Sequence, residues 1–414
     1  MATPSPPAPP SAVPRPGDSL PELVELLIAR LADDGAGVAD SEGGASVRVP
    51  FTLPGERVRA RVWRREANGG GQADLVEVLV PSADRRPAAC PLFGVCGGCQ
   101  LQHLPYDRQL AWKTEVVRAS TAPVAPALVV SPCVPSPREL GYRSKITPHH
   151  DRIRAGNPSP LPIGFLRVGR RNAVVDVERC PLATDGINAH LPVLRARARA
   201  AAPRAKHGVS FLIREAASGV TDDPDARVTE RVGALTLDFF AREFFQNNPF
   251  LLPALVDFVI DAAASGGAHT LVDTYSGSGL FALAGARRFQ RAIGVEVSPG
   301  AVAAARENAA RNGITNATFT AAQAARIFEG LDATPADTAI IIDPPRKGCD
   351  DKFLAQLIAF HPRTIVYVSC NPESLARDLA RLLAAGYAAR ALQPFDMFPQ
   401  TRHVEAVAVL DASI

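Results

Sequence analysis

The chain has 414 residues, of which 47% are hydrophobic and 21% are charged, and its formal net charge is +3. This length is enough for about two or three domains with sizeable cores. A net charge this small gives no argument for nucleic-acid binding, so a local basic patch such as residues 57–66 would have to supply the positive charge. No window approaches the roughly 20 apolar residues that cross a bilayer, so no membrane partner is expected.

Residues 1–17 are rich in proline and lack the continuous apolar core of a signal peptide. They predict a disordered tail and a cytoplasmic protein. In a reducing compartment the seven cysteines remain available as ligands or nucleophiles.

Residues 18–80 alternate short apolar segments with the turn signals DDGAG, SEGG, LPGE and ANGGGQ. Closely spaced strands of this kind indicate a small β-barrel. The succession of GAGVA and VRVPFTLPGERVRARV resembles a TRAM domain, an OB-like RNA-binding module. An unrelated small β domain is the alternative. The alternating arginines of RVRARVWRR suit phosphate contacts, and they suit a solvated strand face equally well.

Three cysteines follow this segment, Cys90, Cys96 and Cys99, spaced C-x5-C-x2-C in a glycine-rich loop. Their thiolates can converge on one centre, which then needs a fourth ligand. Cys180 is the best candidate because it ends a predicted strand just before a proline, and Cys133 is the weaker one. Four thiolates fit a [4Fe-4S] cluster or structural zinc, and the spacing does not choose between them. A group of reduced cysteines without metal is a third interpretation.

Residues 81–237 form the predicted central domain. A helical segment at residues 100–113 leads away from the cysteine loop, and strands at residues 141–150 and 162–180 carry basic side chains. Such side chains suit contacts with an RNA backbone, although a solvated strand face explains each one singly. The basic residues are Arg143, Lys145, Arg167, Arg170 and Arg171.

Residues 238–414 alternate strand and helix, which predicts an α/β domain with a doubly wound parallel sheet. Seven strands, the last two forming a hairpin, resemble the class I Rossmann-like methyltransferases that use S-adenosylmethionine. The predicted strands are HTLVDTY, RAIGVEV, ATFTAA, TAIIIDPP, TIVYVSC, ARALQPFD and HVEAVAVLD.

A glycine-rich turn follows the first of these strands, in VDTYSGSGLFAL. Gly277 and Gly279 let the backbone approach a ligand closely just before the next helix. Glu296 closes the second strand about 20 residues further on, where an acid binds ribose hydroxyls in such folds. The sequence therefore predicts a nucleoside site, with a plain strand-end acid as the alternative for Glu296.

Three reactive side chains are expected at the carboxyl edge of the same sheet. Asp343 ends the fourth strand and Cys370 ends the fifth, and an antiparallel last strand returns Glu405 to that edge. The prolines after Asp343 are followed by Arg346 rather than by an aromatic residue, which argues against methylation of an exocyclic amine. Arg346 is predicted to favour the thiolate or to position the base, with a structural ion pair as the alternative.

Taken in order, the motifs resemble the TRAM-containing, iron-sulfur members of the RNA uracil-5 methyltransferase family from residue 18 onward. They are CPLFGVCGGCQ, FFQNNP, DTYSGSG, DPPRKG, SCNPESLARDL and QTRHVEAVAVL. The resemblance implies a nucleophile at Cys370 and a general base at Glu405. It further implies a [4Fe-4S] cluster on Cys90, Cys96, Cys99 and Cys180, and S-adenosylmethionine contacts from Gln246, Tyr275, Glu296 and Asp343.

The implied reaction is 5-methyluridine formation through a covalent bond between Cys370 and C6 of the base. Cytosine-5 methylation of RNA and a non-catalytic RNA-binding iron-sulfur protein are the alternatives. The RNA is ribosomal or transfer RNA, and the TRAM and cluster motifs incline the prediction towards large-subunit ribosomal RNA. A monomer is the simplest expectation.

Overall fold

The computed structural model describes residues 22–40, 45–65, 70–152, 160–202, 207–322, 327–328 and 331–413. The predicted tail at residues 1–17 lies outside these ranges. Among the helices within them, none combines the length and the apolar character that a membrane span requires.

The amino-terminal segment forms one six-stranded sheet with the order β1-β5-β6-β4-β3-β2. Its strands are β1 (Glu22–Leu27), β2 (Arg30–Leu31), β3 (Gly37–Asp40), β4 (Ser46–Val49), β5 (Arg57–Arg65) and β6 (Gly71–Val80). Strand β5 alternates as predicted, because Val58, Ala60 and Val62 enter the core while the intervening side chains face outwards. The small β domain is confirmed in its strands, and its identity as a TRAM domain stays a prediction.

The outward face of β5 is not a free basic surface. The Arg59 guanidinium contacts Glu77 at 2.8 Å and Glu25 at 3.5 Å. These partners neutralise part of the positive charge that the sequence offers for phosphate contacts.

The middle of the chain contains two helices and several short strands. They are α1 (Tyr106–Thr121), β7 (Lys145–Ile146), β8 (His149–His150), β9 (Gly164–Arg167), β10 (Arg170–Asp176), α2 (Asp185–Ala201), β11 (Val209–Ser210), β12 (Ile213–Ala216) and β13 (Gly219–Thr221). The helix predicted at residues 100–113 begins only after Pro105, since the residue before a proline disfavours helical backbone. The strand predicted at residues 141–150 is split by Pro148 into β7 and β8, which join different sheets.

The carboxyl-terminal part begins with a hairpin and continues as a seven-stranded sheet. The hairpin strands are β14 (Arg227–Val232) and β15 (Leu235–Phe240). The sheet strands are β16 (Thr270–Asp273), β17 (Arg291–Glu296), β18 (Ala317–Ala321), β19 (Thr338–Ile342), β20 (Thr364–Ser369), β21 (Tyr387–Phe395) and β22 (Glu405–Ala412). The helices are α3 (Leu252–Ala264), α4 (Leu280–Gly285), α5 (Pro299–Arg311), α6 (Asp351–Phe360) and α7 (Pro372–Ala384).

This sheet has the order β18-β17-β16-β19-β20-β22-β21, in which β22 runs antiparallel to both of its neighbours. The predicted α/β fold, the seven strands and the final hairpin are confirmed. Strands β19 and β20 are buried at every position because helices cover both faces of the sheet. Helix α1 packs against α7, which brings the middle of the chain onto the edge where these strands end.

Candidate active site

The side chains Asp343, Cys370 and Glu405 meet at the carboxyl edge of the sheet. Asp343 follows β19, Cys370 follows its parallel neighbour β20, and Glu405 is the first residue of antiparallel β22. Ser369 of β20 pairs with Ala406 of β22. One residue further towards the sheet edge, Cys370 follows β20 and Glu405 begins β22. The predicted convergence of the three groups is therefore present, and their catalytic roles remain predictions.

Burial dominates the electrostatics of this group. It raises the pKa of the Cys370 thiol to about 12, the charges of Glu405 and Asp343 add to the rise, and Arg346 opposes it. Burial also raises the pKa of Asp343 and that of Glu405, which is only 3% exposed. Three acidic groups thus face one nearby arginine, and the edge suits a ligand that brings a positive charge.

The loop after Asp343 is tied directly to the residue that follows the thiol. The Asn371 side-chain amide donates to the Arg346 carbonyl at 3.1 Å, while the Asn371 Oδ1 accepts from the N–H of Glu373 at the start of α7. Arg346 is thereby held beside Cys370. Asn371 is a positioning residue that the sequence analysis did not single out, although its place directly after the cysteine was a usable signal.

A crevice of about 230 Å³ opens at the thiol. Its walls come from three parts of the chain, namely the β2–β3 turn, helix α1 and the sheet edge. The wall residues include Asp34, Ser120, Arg346, Cys370, Arg402 and His403. Burial and the neighbouring arginines lower the pKa of His403 to about 4, so this imidazole is neutral at physiological pH. Neither Arg402 nor His403 was predicted from the sequence.

The predicted cofactor turn lies between β16 and α4. Gly277 and Gly279 have φ values of 52° and 97°, in the left-handed region that glycine adopts without strain. The Glu296 carboxylate accepts from the Gly277 N–H at 3.1 Å and from the Ser298 N–H at 2.9 Å. Glu296 therefore fixes the glycine turn as well as lying at the predicted ribose position.

Asp273 is a buried acid at this turn that the sequence analysis missed. It ends β16, its Oδ2 accepts from the Ala282 N–H at 3.0 Å, and burial raises its pKa to about 7. An acid directly before the glycine turn was the available signal. Of the remaining predicted cofactor residues, Gln246 is 7% exposed between β15 and α3, and the Tyr275 ring packs edge-on against Phe353.

The four cysteines predicted as ligands line one cavity of about 1430 Å³ between the amino-terminal sheet and the middle of the chain. Burial, together with the neighbouring cysteines, raises the pKa of Cys96 to about 11. Cys133 lies elsewhere, with its N–H donating to Thr114 of α1. The donor set matches a cluster or zinc in kind. However, no three His, Cys, Asp or Glu side chains in the described ranges lie close enough together to hold a metal ion.

Strand order and site together define a class I, S-adenosylmethionine-type methyltransferase fold. The family model for tRNA (uracil-5-)-methyltransferases matches residues 227–413. The tRNA (uracil(54)-C(5))-methyltransferase of Schizosaccharomyces pombe is 40% identical, over 94% of this chain and 78% of the relative. That of Saccharomyces cerevisiae is 32% identical, over 94% and 73%. The chain therefore belongs to the tRNA (uracil-5-)-methyltransferase family.

A solved structure supports the fold over nearly the whole chain. It is that of the Pyrococcus abyssi tRNA (uracil-54, C5)-methyltransferase in complex with S-adenosyl-L-homocysteine, with a TM-score of 0.70 and 24% identity. The match covers 94% of this chain and all of that one. The likeness extends beyond the carboxyl-terminal sheet to the amino-terminal and middle segments.

Proposed function

We propose that this protein transfers the methyl group of S-adenosylmethionine to C5 of a uridine in transfer RNA, and that the uridine is number 54. The convergence of Cys370, Asp343 and Glu405 at one sheet edge carries the proposal. The two fungal relatives and the archaeal structure are all named for uracil 54 of tRNA. These names favour transfer RNA over the ribosomal RNA towards which the motifs inclined.

The chemistry begins with a nucleophile, because C5 of uracil is unreactive until C6 is attacked. The Cys370 thiolate adds to C6, and the ring electrons move to give an enolate. Carbon C5 then attacks the sulfonium methyl group, so a C–C bond forms while the methyl–sulfur bond breaks and S-adenosylhomocysteine is left. One difficult step becomes two easier ones.

Product release needs a base. The Glu405 carboxylate removes the proton from C5, and the electron pair expels the Cys370 thiolate from C6. The ring regains its double bond as 5-methyluridine, and the proton remains on Glu405 until it passes to solvent. Glu405 must therefore be ionised at this step, although its burial favours the protonated acid.

Cys370, Asp343 and Glu405 are three acidic groups whose charges repel one another, and a nearby cation lowers acid pKa values. S-adenosylmethionine bound at this edge would supply such a cation in its sulfonium, and its binding would favour both the Cys370 thiolate and the Glu405 carboxylate. Arg346 acts in the same direction on both groups.

The target uridine has to leave its stack before Cys370 reaches C6. The crevice at the thiol and the larger cavity share Arg402 and His403, so one continuous surface leads from the reacting edge to the cysteine loop. Basic residues on this surface suit the RNA backbone flanking the flipped base. They are Arg48, Arg143, Arg167, Arg170, Arg179 and Arg402.

The test uses transfer RNA in which 5-fluorouridine replaces uridine. Fluorine at C5 does not leave as a proton, so the methylated adduct on Cys370 is trapped. We expect a protein–RNA band on a denaturing gel that needs S-adenosylmethionine, and its absence with Cys370→Ala. A U54C transfer RNA should give no band. Mass analysis of nucleosides from ordinary tRNA should then show 5-methyluridine.

Other outcomes would assign a different function. A 5-methylcytidine product would identify a cytosine enzyme, and a band with fluorinated ribosomal RNA alone would move the substrate away from transfer RNA. Tight RNA binding without any methyl transfer by cofactor-loaded protein would support a non-catalytic RNA-binding protein.

We also propose that Cys90, Cys96, Cys99 and Cys180 hold a [4Fe-4S] cluster. The support is their shared cavity and the all-thiolate donor set, which suits a cluster or zinc. The thiols would have to move closer together to bind it, since no three of them within the described ranges are placed to hold a metal ion. A bound cluster would join the cysteine loop to the strand that ends near Cys180. No step of the methyl transfer needs an electron, so its contribution would be structural.

Metal analysis of protein purified without oxygen tests this second proposal. We expect about four iron atoms per chain and a broad absorption near 400 nm for the wild type, in keeping with one cluster. Cys180→Ala should lose both signals, while the matched Cys133→Ala variant should keep them. One zinc per chain, or no metal in either protein, would contradict a cluster.

A further inference from the structure

The connection between β21 and β22, residues 396–404, is held by contacts from outside its own hairpin. Each of its four carbonyl groups from residue 397 to residue 400 accepts a hydrogen bond from a distant part of the chain. The donors are the Asn248 amide to Met397, the Lys113 ammonium to Phe398, the Tyr142 hydroxyl to Pro399, and the N–H groups of Gln100 and Leu101 to Gln400. These bonds fix the backbone of residues 397–400 relative to the rest of the chain.

Gln400 has an unusual backbone conformation within this connection. Its φ is 68°, a left-handed conformation that costs a residue other than glycine about 1 kcal/mol or more. Its side chain is 1% exposed. The surroundings compensate for the strain through Gln109 of α1, whose amide accepts from the Gln400 N–H at 3.0 Å and donates to the Gln400 Oε1 at 2.9 Å.

Gln400 also joins the connection to the cysteine loop. Its carbonyl accepts from the N–H groups of Gln100 and Leu101, both at 3.1 Å, and these residues directly follow Cys99. In return, the Gln100 side-chain oxygen accepts from the Arg402 N–H at 3.2 Å. Three hydrogen bonds therefore hold the residues just after Cys99 to the stretch 400–402, two of them at Gln400 and one at Arg402.

The same stretch leads straight into the reacting edge. Arg402 and His403 line the crevice of Cys370, and Glu405 follows as the first residue of β22. Glu405 has to reach the proton on C5 while Cys370 is bonded to C6. Glu405 is the first residue of β22 and pairs there with Phe395 of β21, so the connection enters the strand at Glu405. Cys370 lies between β20 and α7 instead and is not part of the connection.

We infer that Gln400 is a positioning residue that sets Glu405 relative to Cys370, and that the cysteine loop supports the base through it. The inference rests on the proposed function, since it assigns the base step to Glu405. It separates the two halves of the reaction: bond formation at C6 and methyl transfer do not need Glu405, whereas proton removal does.

The experiment compares Gln400→Gly with the wild type. Glycine keeps the left-handed backbone and removes the side chain. Adduct formation on 5-fluorouridine tRNA, which does not involve proton removal, should stay within about threefold. Turnover on ordinary tRNA should fall by about ten- to a hundredfold, since a small misplacement of a catalytic group has effects of this size. A protein–RNA adduct should then accumulate on ordinary tRNA.

Gln393→Ala is the matched control, since its exposed amide on β21 donates to Pro132 at 2.7 Å outside the connection. It should leave both rates unchanged. Equal losses of adduct formation and turnover in Gln400→Gly, or no loss of turnover, would overturn the inference.

Hydrogen exchange gives a readout that is independent of catalysis. In Gln400→Gly the amides of Gln100, Leu101 and Arg402 should exchange faster than in the wild type, while those of β20 should not change. Because these amides bond to the Gln400 carbonyl and the Gln100 side chain, unchanged exchange would show that the Gln400 side chain does not support the link to the cysteine loop, and would overturn that part of the inference. A wild type that forms no fluorinated adduct would overturn the proposed function, and the exchange result would still decide whether Gln400 joins the two segments.

Discussion

The Lys113 ammonium of α1 forms an ion pair with the Asp396 carboxylate at the end of β21, and neither side chain has any exposed surface. The ammonium also donates to the Phe398 carbonyl at 3.0 Å. Two segments separated by 283 positions are thus joined in the interior, one turn along α1 from Gln109. The pair fixes the connection that leads to Glu405.

Removing one partner of this pair should be strongly destabilising. Lys113→Ala leaves a buried carboxylate without its counter-ion, and we expect the free energy of unfolding to fall by about 3–5 kcal/mol. Urea denaturation measures the loss. Arg288→Ala is the control, since Arg288 and Asp261 form an exposed pair that should contribute less than about 1 kcal/mol. Equal losses in the two variants would contradict the structural importance of the buried pair.

The raised pKa of Cys370, about 12, makes a prediction about pH. Because only the thiolate reacts, the rate of its alkylation by iodoacetamide in the free protein should rise about tenfold per pH unit from pH 7 to 10. Mass spectrometry of the peptide that contains residue 370 gives the rate. A rate that levels off between about pH 9 and 10 would show an ordinary thiol, with a pKa of about 8.5, and contradict the effect of burial.

Cofactor charge should change that rate. At pH 8, S-adenosylmethionine should accelerate alkylation of Cys370, since its sulfonium lowers the thiol pKa and each unit corresponds to about a tenfold change. S-adenosylhomocysteine lacks this charge and serves as the matched ligand. The same rate with both ligands would argue that the sulfonium does not act on Cys370.

Glu296 offers a test of the cofactor site. Glu296→Gln removes the charge that holds the Gly277 and Ser298 N–H groups and that is proposed to bind the ribose. Hydrogen bonds to a charged group contribute about 1.5–3 kcal/mol, so affinity for S-adenosylhomocysteine should drop by about ten- to a hundredfold. Titration calorimetry measures it. Glu307→Gln, at an exposed partner of Arg227, should keep the wild-type affinity.

Asp378 anchors the loop that contains Arg346. This fully buried carboxylate accepts from the Tyr367 hydroxyl at 2.7 Å, the Cys349 N–H at 2.9 Å and the Arg377 Nε at 2.8 Å. Asp378→Ala leaves these donors unpaired, and we expect a loss of about 3–5 kcal/mol in unfolding free energy with slower methyl transfer. Asp351→Ala removes an exposed partner of Arg381 and should have little effect on either.

The sequence by itself determined the carboxyl-terminal sheet and the residues at its edge. Apolar runs such as residues 338–342 and 364–369 are local patterns, and they end directly before Asp343 and Cys370. The glycine turn before α4 and the acid that closes β17 are local in the same sense. Parallel strands bring such ends to one edge, so strand assignment sufficed to place the candidate site.

Only the tertiary structure decided how that site is supported and charged. The Gln109–Gln400 contact joins residues 291 positions apart, and no periodic pattern marks either partner. The pKa shifts of Cys370 and Glu405 arise from burial by several segments, which no single segment of sequence specifies. Local propensity is encoded residue by residue, whereas desolvation and long-range hydrogen bonds exist only once distant segments have packed together.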